Sequence, residues 1–488
     1  MSIETELARK KFHKAEAKFR SEHYDEAIRM FRDICASSRL VDQEIKKAAM
    51  LNLGASYRAK SKHLQALRIY DDYIRIYEKN WAVLYNKANT HDAIGEFNLA
   101  IQAYQDALHF DQENKLVLQN LAQCYIKSGE LSKPRLIYEN LLASEPHDAE
   151  VSYGLSEILL REKKYDIGWE LYLWRNFRPN QIDPIFNQMY PSLEVYLKAI
   201  DNIENVNDYV VVDEQGIGDT IMFSSIIPDL IRKFGKIDFF INSRLISLFR
   251  NSFPSLNFEP KDQLIAKLGN RRILLMGDMM RFFRSSAHSF PGDKFLTAPN
   301  RGEVWLRDHF SRVREKMIIG VSWRGGTEGN RMAHRSLEFE NFIKNLFSGL
   351  DVHLVSIQYK LNSIEAKTFG FDIKFFGNDE IFDIGSLSDL IGQLDLVVTV
   401  QNTNVHLSGA LGKKCFALLP YSPEWRYGND GSTMPWYNSV ELFRQKSSGD
   451  WAAVLMDVRN RILIEVDSFQ KQKLQASPGL LSINEIRA

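Results

Sequence analysis

Long apolar runs are missing from this chain. No uninterrupted stretch approaches the roughly 20 residues that a helix needs to cross a bilayer, so a membrane span is not expected. The opening segment, MSIETELARKKFHKAEAKF, is charged throughout and lacks the apolar stretch of a secretory leader, which points to a soluble, cytoplasmic protein. Cysteine is scarce as well. Cys35, Cys124 and Cys415 lie far apart, with none of the close spacings that mark metal sites or redox pairs, and read as reduced core thiols. Net charge is absent too: Lys plus Arg equals Asp plus Glu at 62 each. No global field draws the chain onto a polyanion, and nucleic acid is not an expected partner.

What is present has the balance of an ordinary globular protein. Apolar residues make up 44% and charged residues 25%, enough apolar material to bury real cores. The 488 residues exceed what one core can organise, so about three units are expected.

Internal periodicity runs from about residue 10 to 178. Ala66, Ala100, Pro134 and Gly168 follow one another at intervals of 34, each with an aromatic four residues later: Tyr70, Tyr104, Tyr138 and Tyr172. A small residue and a ring at i and i+4 share one helix face. Leu53-Gly54, Lys87-Ala88 and Leu121-Ala122 precede three of them by 13 residues, where the first helix of a hairpin must let the second come close. Gly95 and Gly129 supply the turns, and Ala27 with Phe31 marks an earlier unit, giving about five. These residues closely resemble the tetratricopeptide family, with Pro146 where that family closes a repeat; Lys87 and Pro134 depart from its usual pattern, Pro134 implying a kink or a helix start. Such a solenoid presents a concave face to a polypeptide partner, or simply braces its neighbour. Tyr165, Trp169, Tyr172 and Trp174 make the last unit aromatic, as packing on the next domain would require. Prolines 179, 184 and 191 punctuate residues 179–208, read as a junction.

From Tyr209 short apolar strands alternate with helical segments, the mark of parallel sheets covered by helices. Strands are expected at 209–212, 237–241, 273–276, 317–323, 352–358, 396–400 and 415–419. A charged helical stretch at 302–314 divides them into two Rossmann-like lobes, 209–301 and 302–470, ahead of a tail at 471–488, with ligand at the carboxyl ends of the strands. The first strand runs into Asp213-Glu214-Gln215-Gly216-Ile217-Gly218-Asp219-Thr220, followed by a helix running toward Phe234. Its two glycines allow close approach of a ligand to the backbone. In the second lobe a strand runs into Gln401-Asn402-Thr403-Asn404-Val405-His406, where a helix start is either a diphosphate seat or a plain capped helix with a core histidine.

The α/β part is similar to the two-lobed glycosyltransferases of the GT-B type, the group of the lipopolysaccharide heptosyltransferases, in its bacterial members with tetratricopeptide repeats in front. The resemblance rests on Gly216-Ile217-Gly218-Asp219-Thr220 with Phe223-Ser224, Gly320-Val321-Ser322-Trp323 with Arg335-Ser336-Leu337, and Leu394-Asp395-Leu396-Val397-Val398 through His406-Leu407-Ser408-Gly409-Ala410-Leu411-Gly412. Leu419-Pro420, Pro423-Glu424-Trp425-Arg426 and Pro435-Trp436-Tyr437 complete it. It implies metal-free transfer of a sugar, with inversion, from a nucleotide-sugar donor, the acceptor held by the first lobe and the donor by the second. Asp219 matches the family's general base, with Gly216, Gly218 and Thr220 in the acceptor-side loop; Asp219 as a mere N-cap is the plainer reading. Thr403, Asn404 and His406 match the donor phosphate turn. Arg331 and Arg335 would balance diphosphate charge unless they are solvated loop cations, and Trp323, Gln358 and Asn402 complete the donor side. The family usually has aspartate where this chain has Asn402, and Arg324-Gly325-Gly326 replaces its more typical residues, so a role needing charge at 402 would be lost.

Three functions follow as expectations. One is a glycosyltransferase whose repeats select a protein acceptor. Another is a scaffold with a degenerate transferase lobe, and the third is a transferase acting on glycans or lipid-linked sugars.

Overall fold

The 34-residue register is built as helical hairpins. The computed structural model describes residues 3–476 except 38–40, 180–182, 204, 302–303, 327–331, 359–372 and 378–382. Its first helices are α1 (Ile3–Arg20), α2 (Tyr24–Cys35), α3 (Gln43–Ala59), α4 (His63–Tyr77), α5 (Trp81–Ala93), α6 (Phe97–Leu108), α7 (Lys115–Ser128), α8 (Ser132–Ser144) and α9 (Ala149–Arg161). Each packs on the next from α1 to α8, the arrangement of a tetratricopeptide-like solenoid.

Local chemistry sets the helix ends. Asp42, Asn80 and Asn114 cap α3, α5 and α7 through side-chain oxygens that accept from Glu44, Val83 and Val117 N–H at 2.8, 3.0 and 3.2 Å. Gly129 closes α7 at φ +86, a left-handed position that costs glycine nothing. Pro134 lies in the first turn of α8, where a missing N–H leaves no helix bond unmade. Between helices the register works through size: Ala66, Ala100, Tyr70 and Tyr104 are buried, and a Cβ on Gly54 would run into the Tyr70 ring.

The chain divides into two compact units between Leu155 and Ser156, inside α9. Residues 156–178, read from the sequence as the end of the array, and 179–208, read as a junction, therefore belong to the second unit. Aromatic burial is the reason. The Trp169 indole N–H of α10 (Tyr165–Tyr172) donates to the Arg284 carbonyl at 2.9 Å, and its ring meets Trp425 edge-on at 5.6 Å. Helices Pro184–Met189 and Leu193–Asp201 bury Phe186, Tyr190 and Tyr196, and Tyr190 donates to the Ile273 carbonyl at 3.1 Å.

Two sheets follow. Strands β1 (Tyr209–Val212), β2 (Asp238–Ile241), β3 (Asn257–Pro260) and β4 (Arg272–Leu275) form a parallel sheet in the order β3-β2-β1-β4. The second contains β5 (Met317–Ser322), β6 (Val352–Ser356), β7 (Ile373–Lys374), β8 (Leu396–Val400), β9 (Cys415–Leu419), β10 (Thr433–Met434) and β11 (Tyr437–Arg444) in the order β10-β11-β9-β8-β5-β6-β7. Only β10, paired with β11, is antiparallel. Strands β1, β5, β8 and β9 are buried at every residue, as parallel strands covered on both faces must be. Helices Phe339–Phe347 and Trp451–Ala476 close one face of the second sheet through Phe342, Leu346, Val458 and Ile462.

Sequence reading missed β3, β7, β10 and β11, and the segment expected as one helix toward Phe234 is two. Helix Ile217–Phe223 gives way to a 3-10 turn, and a second helix, Ile227–Phe234, restarts at Pro228, whose ring cannot continue the first. The expected tail at 471–488 is helical as far as Ala476, and 477–488 lies outside the described residues.

One buried ion cluster fastens the leading helices to the first sheet. Arg175 donates to Asp278 at 2.5 Å and, through Nε, to Glu214 at 2.9 Å. Asp278 also accepts from Tyr196 O–H at 2.6 Å and Asn176 at 2.9 Å. Burial raises the Asp278 carboxyl to about 6 even though Arg175 pulls it down. Removing the guanidinium would strand two buried carboxylates. Arg175→Ala is therefore expected to lower stability by about 3–5 kcal/mol in a denaturant melt, whereas a loss under about 1 kcal/mol, the level of an exposed pair, would contradict this anchoring.

Candidate functional site

In doubly wound sheets ligands bind outside the carboxyl ends of the strands, where strand order reverses. The first sheet reverses between β1 and β4. Glu214 and Asp278, just past those strands, are both held there by Arg175, so this chain fills its own first crevice. The second sheet reverses between β5 and β8, paired at Ser322 and Thr399. Here two loops diverge: Trp323-Arg324-Gly325-Gly326 after β5 and Gln401-Asn402 after β8. A Cβ on Gly325 would run into the Gln401 carbonyl, so the two loops approach as only glycine permits.

Asn402 ties these loops together. Its Oδ1 accepts from Asn404 N–H at 2.9 Å and caps helix Thr403–Ala410; its Nδ2 donates to Ser322 Oγ at 2.9 Å and to the Arg324 carbonyl at 3.1 Å. An aspartate could cap the helix but has no N–H for Ser322 and Arg324. The amide thus has its own structural use. Gln358 completes the frame, its Oε1 accepting from Ser322 Oγ and from Trp323 and Arg324 N–H at 3.0, 3.0 and 2.8 Å.

The loop after β1 comes to this same place. Gln215 has φ +61, costly for a residue with a Cβ, and its Nε2 donates to Tyr172 O–H at 2.6 Å. Gly216 then starts helix Ile217–Phe223, and its N–H donates to Asp219 Oδ2 at 3.3 Å. A Cβ on Gly218 would stand 3.3 Å from His406 Cδ2 and 3.4 Å from Thr403 Oγ1, so the two turns are in contact. The other Asp219 oxygen, Oδ1, accepts from Arg426 Nη2. That pair joins the loop after β1 to the segment after β9.

The sequence-read residues now separate. Gly216, Gly218, Asp219, Asn402 and Thr403 gather where the two turns meet. Arg335 is nearby, with its guanidinium 3.6 Å from Glu424 and its Cδ 3.4 Å from where a Gly325 Cβ would be, while Arg331 lies outside the described residues. Four others turn inward. Trp323 is fully buried against Phe339, ring centroids 4.7 Å apart, and offers no surface to a donor. Thr220 is buried, donating to Gly216 O and Asp213, and Asn404 is buried with its amide on the Ile357 carbonyl at 3.1 Å. His406 is also buried, its Nδ1 3.3 Å from Tyr437 Oη and its Nε2 3.3 Å from Tyr427 Oη. These side chains hold the turns from behind, because each flanks an apolar strand or helix face.

Sequence reasoning did not single out Arg426, which lies in the Pro423-Glu424-Trp425-Arg426 stretch. Burial disfavours its charge, but Asp219 and Glu424 more than compensate and raise its pKa. Among the described residues no group of three or more His, Cys, Asp or Glu side chains is placed to hold a metal ion, and no helix is long and apolar enough to cross a membrane.

No family model matches this chain. Protein FlbA of Caulobacter vibrioides is 25% identical over 339 residues, which is 63% of this chain and 54% of FlbA. The chain thus spans about half the length of that relative. Among solved structures, MamA from Desulfovibrio magneticus RS-1 is 14% identical over 38% of this chain and 99% of its own, with a TM-score of 0.31. A thermophilic tetratricopeptide protein from Thermus thermophilus is 14% identical over 40% of this chain and 97% of its own, again with a TM-score of 0.31. The solenoid assignment rests on the register and packing of the helices themselves.

His406 gives the site a pH signature. Burial, with the Arg426 charge nearby, pushes its pKa down to about 3, so the imidazole is neutral in the folded state. The unfolded chain takes up that proton below about pH 6.5, so this residue's contribution is intact above that pH and is lost as pH falls toward 3. Between pH 7.5 and pH 5 it should cost about 2 kcal/mol of stability. His406→Gln, which does not titrate, should show a correspondingly smaller loss in paired denaturant melts; an equal loss in both proteins would contradict a neutral buried imidazole.

Proposed function

We propose that the second unit is a glycosyltransferase that moves a sugar from a nucleotide-sugar donor to an acceptor without a metal, and that the solenoid holds that acceptor, a polypeptide. One observation carries this reading: a carboxylate from the β1 loop and a guanidinium from the far lobe meet beside a helix start at the β5/β8 reversal. Those are the groups that the chemistry requires. The helix start at Thr403 and the nearby arginines suit a diphosphate, through the positive end of the helix dipole and the positive charge of the guanidinium groups. Asp219 suits a general base.

In the proposed step an acceptor hydroxyl oxygen attacks the anomeric carbon from the face opposite the diphosphate. Its proton passes to the Asp219 carboxylate. The bond from the anomeric carbon to the diphosphate oxygen breaks, and its electron pair leaves with the nucleoside diphosphate. Positive charge offsets the negative charge that builds on that leaving group, which is where electrostatic stabilisation is worth most.

A second reading, a nucleotide-gated scaffold, draws on the ion pair between Asp219 and Arg426. Turnover separates the two. Thermal shift of the full chain against UDP, GDP, ADP and their sugars should reveal one stabilising nucleotide, worth about 2.7 kcal/mol at 100-fold excess over Kd. Asp219→Ala should keep that stabilisation and lose about 100-fold or more of transfer. Unchanged transfer in Asp219→Ala would remove the base assignment, and stabilisation without transfer by the unaltered protein would favour the scaffold.

A further inference from the structure

We propose that Arg426 is the cation that receives the donor diphosphate, and that Asp219 occupies it until the donor arrives. The inference rests on the transferase reading above and adds an exchange of partners at its centre. Arg426 is a deeply placed charge, with only 13% of its side chain exposed. A cation so placed needs an anion beside it. Asp219 Oδ1 fills that need at Nη2, yet Nε of the same guanidinium is buried with no hydrogen-bond partner. One arm of a fork built for two-point recognition is thus left unused.

The surroundings hold the fork still. The guanidinium lies 5.1 Å from the centre of the Trp425 ring, and Trp436 donates its indole N–H to the Arg426 carbonyl at 3.3 Å. Glu424, an acid on the same loop as Arg426, faces Arg335 at 3.6 Å. Asp219 is the movable partner. Its second oxygen makes only a long 3.3 Å contact with Gly216 N–H. Gly218, next to it, touches Thr403 at the start of the helix proposed to seat phosphate. A diphosphate there brings several anionic oxygens toward the guanidinium and displaces the single carboxylate oxygen from Nη2. Asp219, released beside the sugar, is then free to take the acceptor proton. Donor binding thereby precedes and enables activation of the acceptor.

Isothermal titration of the full chain with inorganic pyrophosphate, UDP, GDP and ADP tests the exchange. The variants are Asp219→Asn, Arg426→Ala, Arg426→Lys and the double Asp219→Asn/Arg426→Ala, each checked for its fold by circular dichroism. Asp219→Asn removes the competing anion and should tighten binding of the best probe by about 5-fold or more. Arg426→Ala should weaken it by at least as much, and Arg426→Lys, which keeps the charge without the fork, should fall between. In the double variant the Asp219→Asn gain should vanish, which a merely structural role for either residue would not produce. Binding by the unaltered protein with no gain in Asp219→Asn, or an equal gain with and without Arg426, overturns the exchange and leaves the transferase reading standing. Failure of all four probes to bind the unaltered protein overturns both.

Discussion

Gly218 has no side chain, and its backbone lies against the His406 ring and the Thr403 hydroxyl, where even a methyl group would stand 3.3–3.4 Å from its neighbours. The second unit is organised about this contact. It sets the loop after β1 against the loop after β8, so the carboxyl ends of two separate parallel sheets serve one place. It also fixes the sides from which charge can enter. Asp219 follows Gly218 directly, and Arg426 approaches from beyond β9 to meet it. The buried tyrosines 427 and 437 flank His406, and burial together with the Arg426 charge keeps its ring neutral behind the turn. A charged imidazole there would face Arg426 in a dry interior, at a cost that the fold avoids by leaving it unprotonated.

The two strand-order reversals are used differently. At the first, Arg175 fills the crevice with two carboxylates, a tyrosine and an asparagine around it, and its polar groups are satisfied internally. That end of the unit is built for cohesion. At the second, Asn402 ties the β8 loop to the β5 loop and Gln358, just past β6, holds the β5 loop by its backbone, with the helix start at Thr403 and the exposed Arg324 at the rim. Bonding that stiffens loops without covering them is what a pre-organised binding site requires.

How much of this was legible in the sequence depends on the range of the interaction. The solenoid was readable because its packing repeats every 34 residues: Ala66 with Tyr70 and Ala100 with Tyr104 reflect helix-to-helix contacts a few turns away. The central strands stood out as runs such as Tyr209–Val212, apolar because helices cover both faces. Edge strands did not; Asn257–Pro260 mixes Asn, Phe, Glu and Pro because only Phe258 among them is fully buried. In the site, the glycine loop and Asn402-Thr403 were legible as strand-to-helix turns. Their partners were not. Arg175 meets Glu214 across 39 residues and Asp278 across 103, and Arg426 meets Asp219 across 207, separations that no local pattern records. The inward burial of Trp323, Thr220, Asn404 and His406 was not legible for a related reason. Near a strand end the sequence does not tell which side chains face the crevice and which face the core.

One ligand site, formed by the two turns joined at Gly218, is the premise of the proposed transfer. It is tested most directly by a crystal structure of the full chain with the tightest-binding nucleoside diphosphate. Phosphate density is expected at the start of helix Thr403–Ala410, within hydrogen-bond reach of Arg426 and with Asp219 no longer paired to it. Diphosphate bound elsewhere, with the Asp219–Arg426 pair intact, would contradict it.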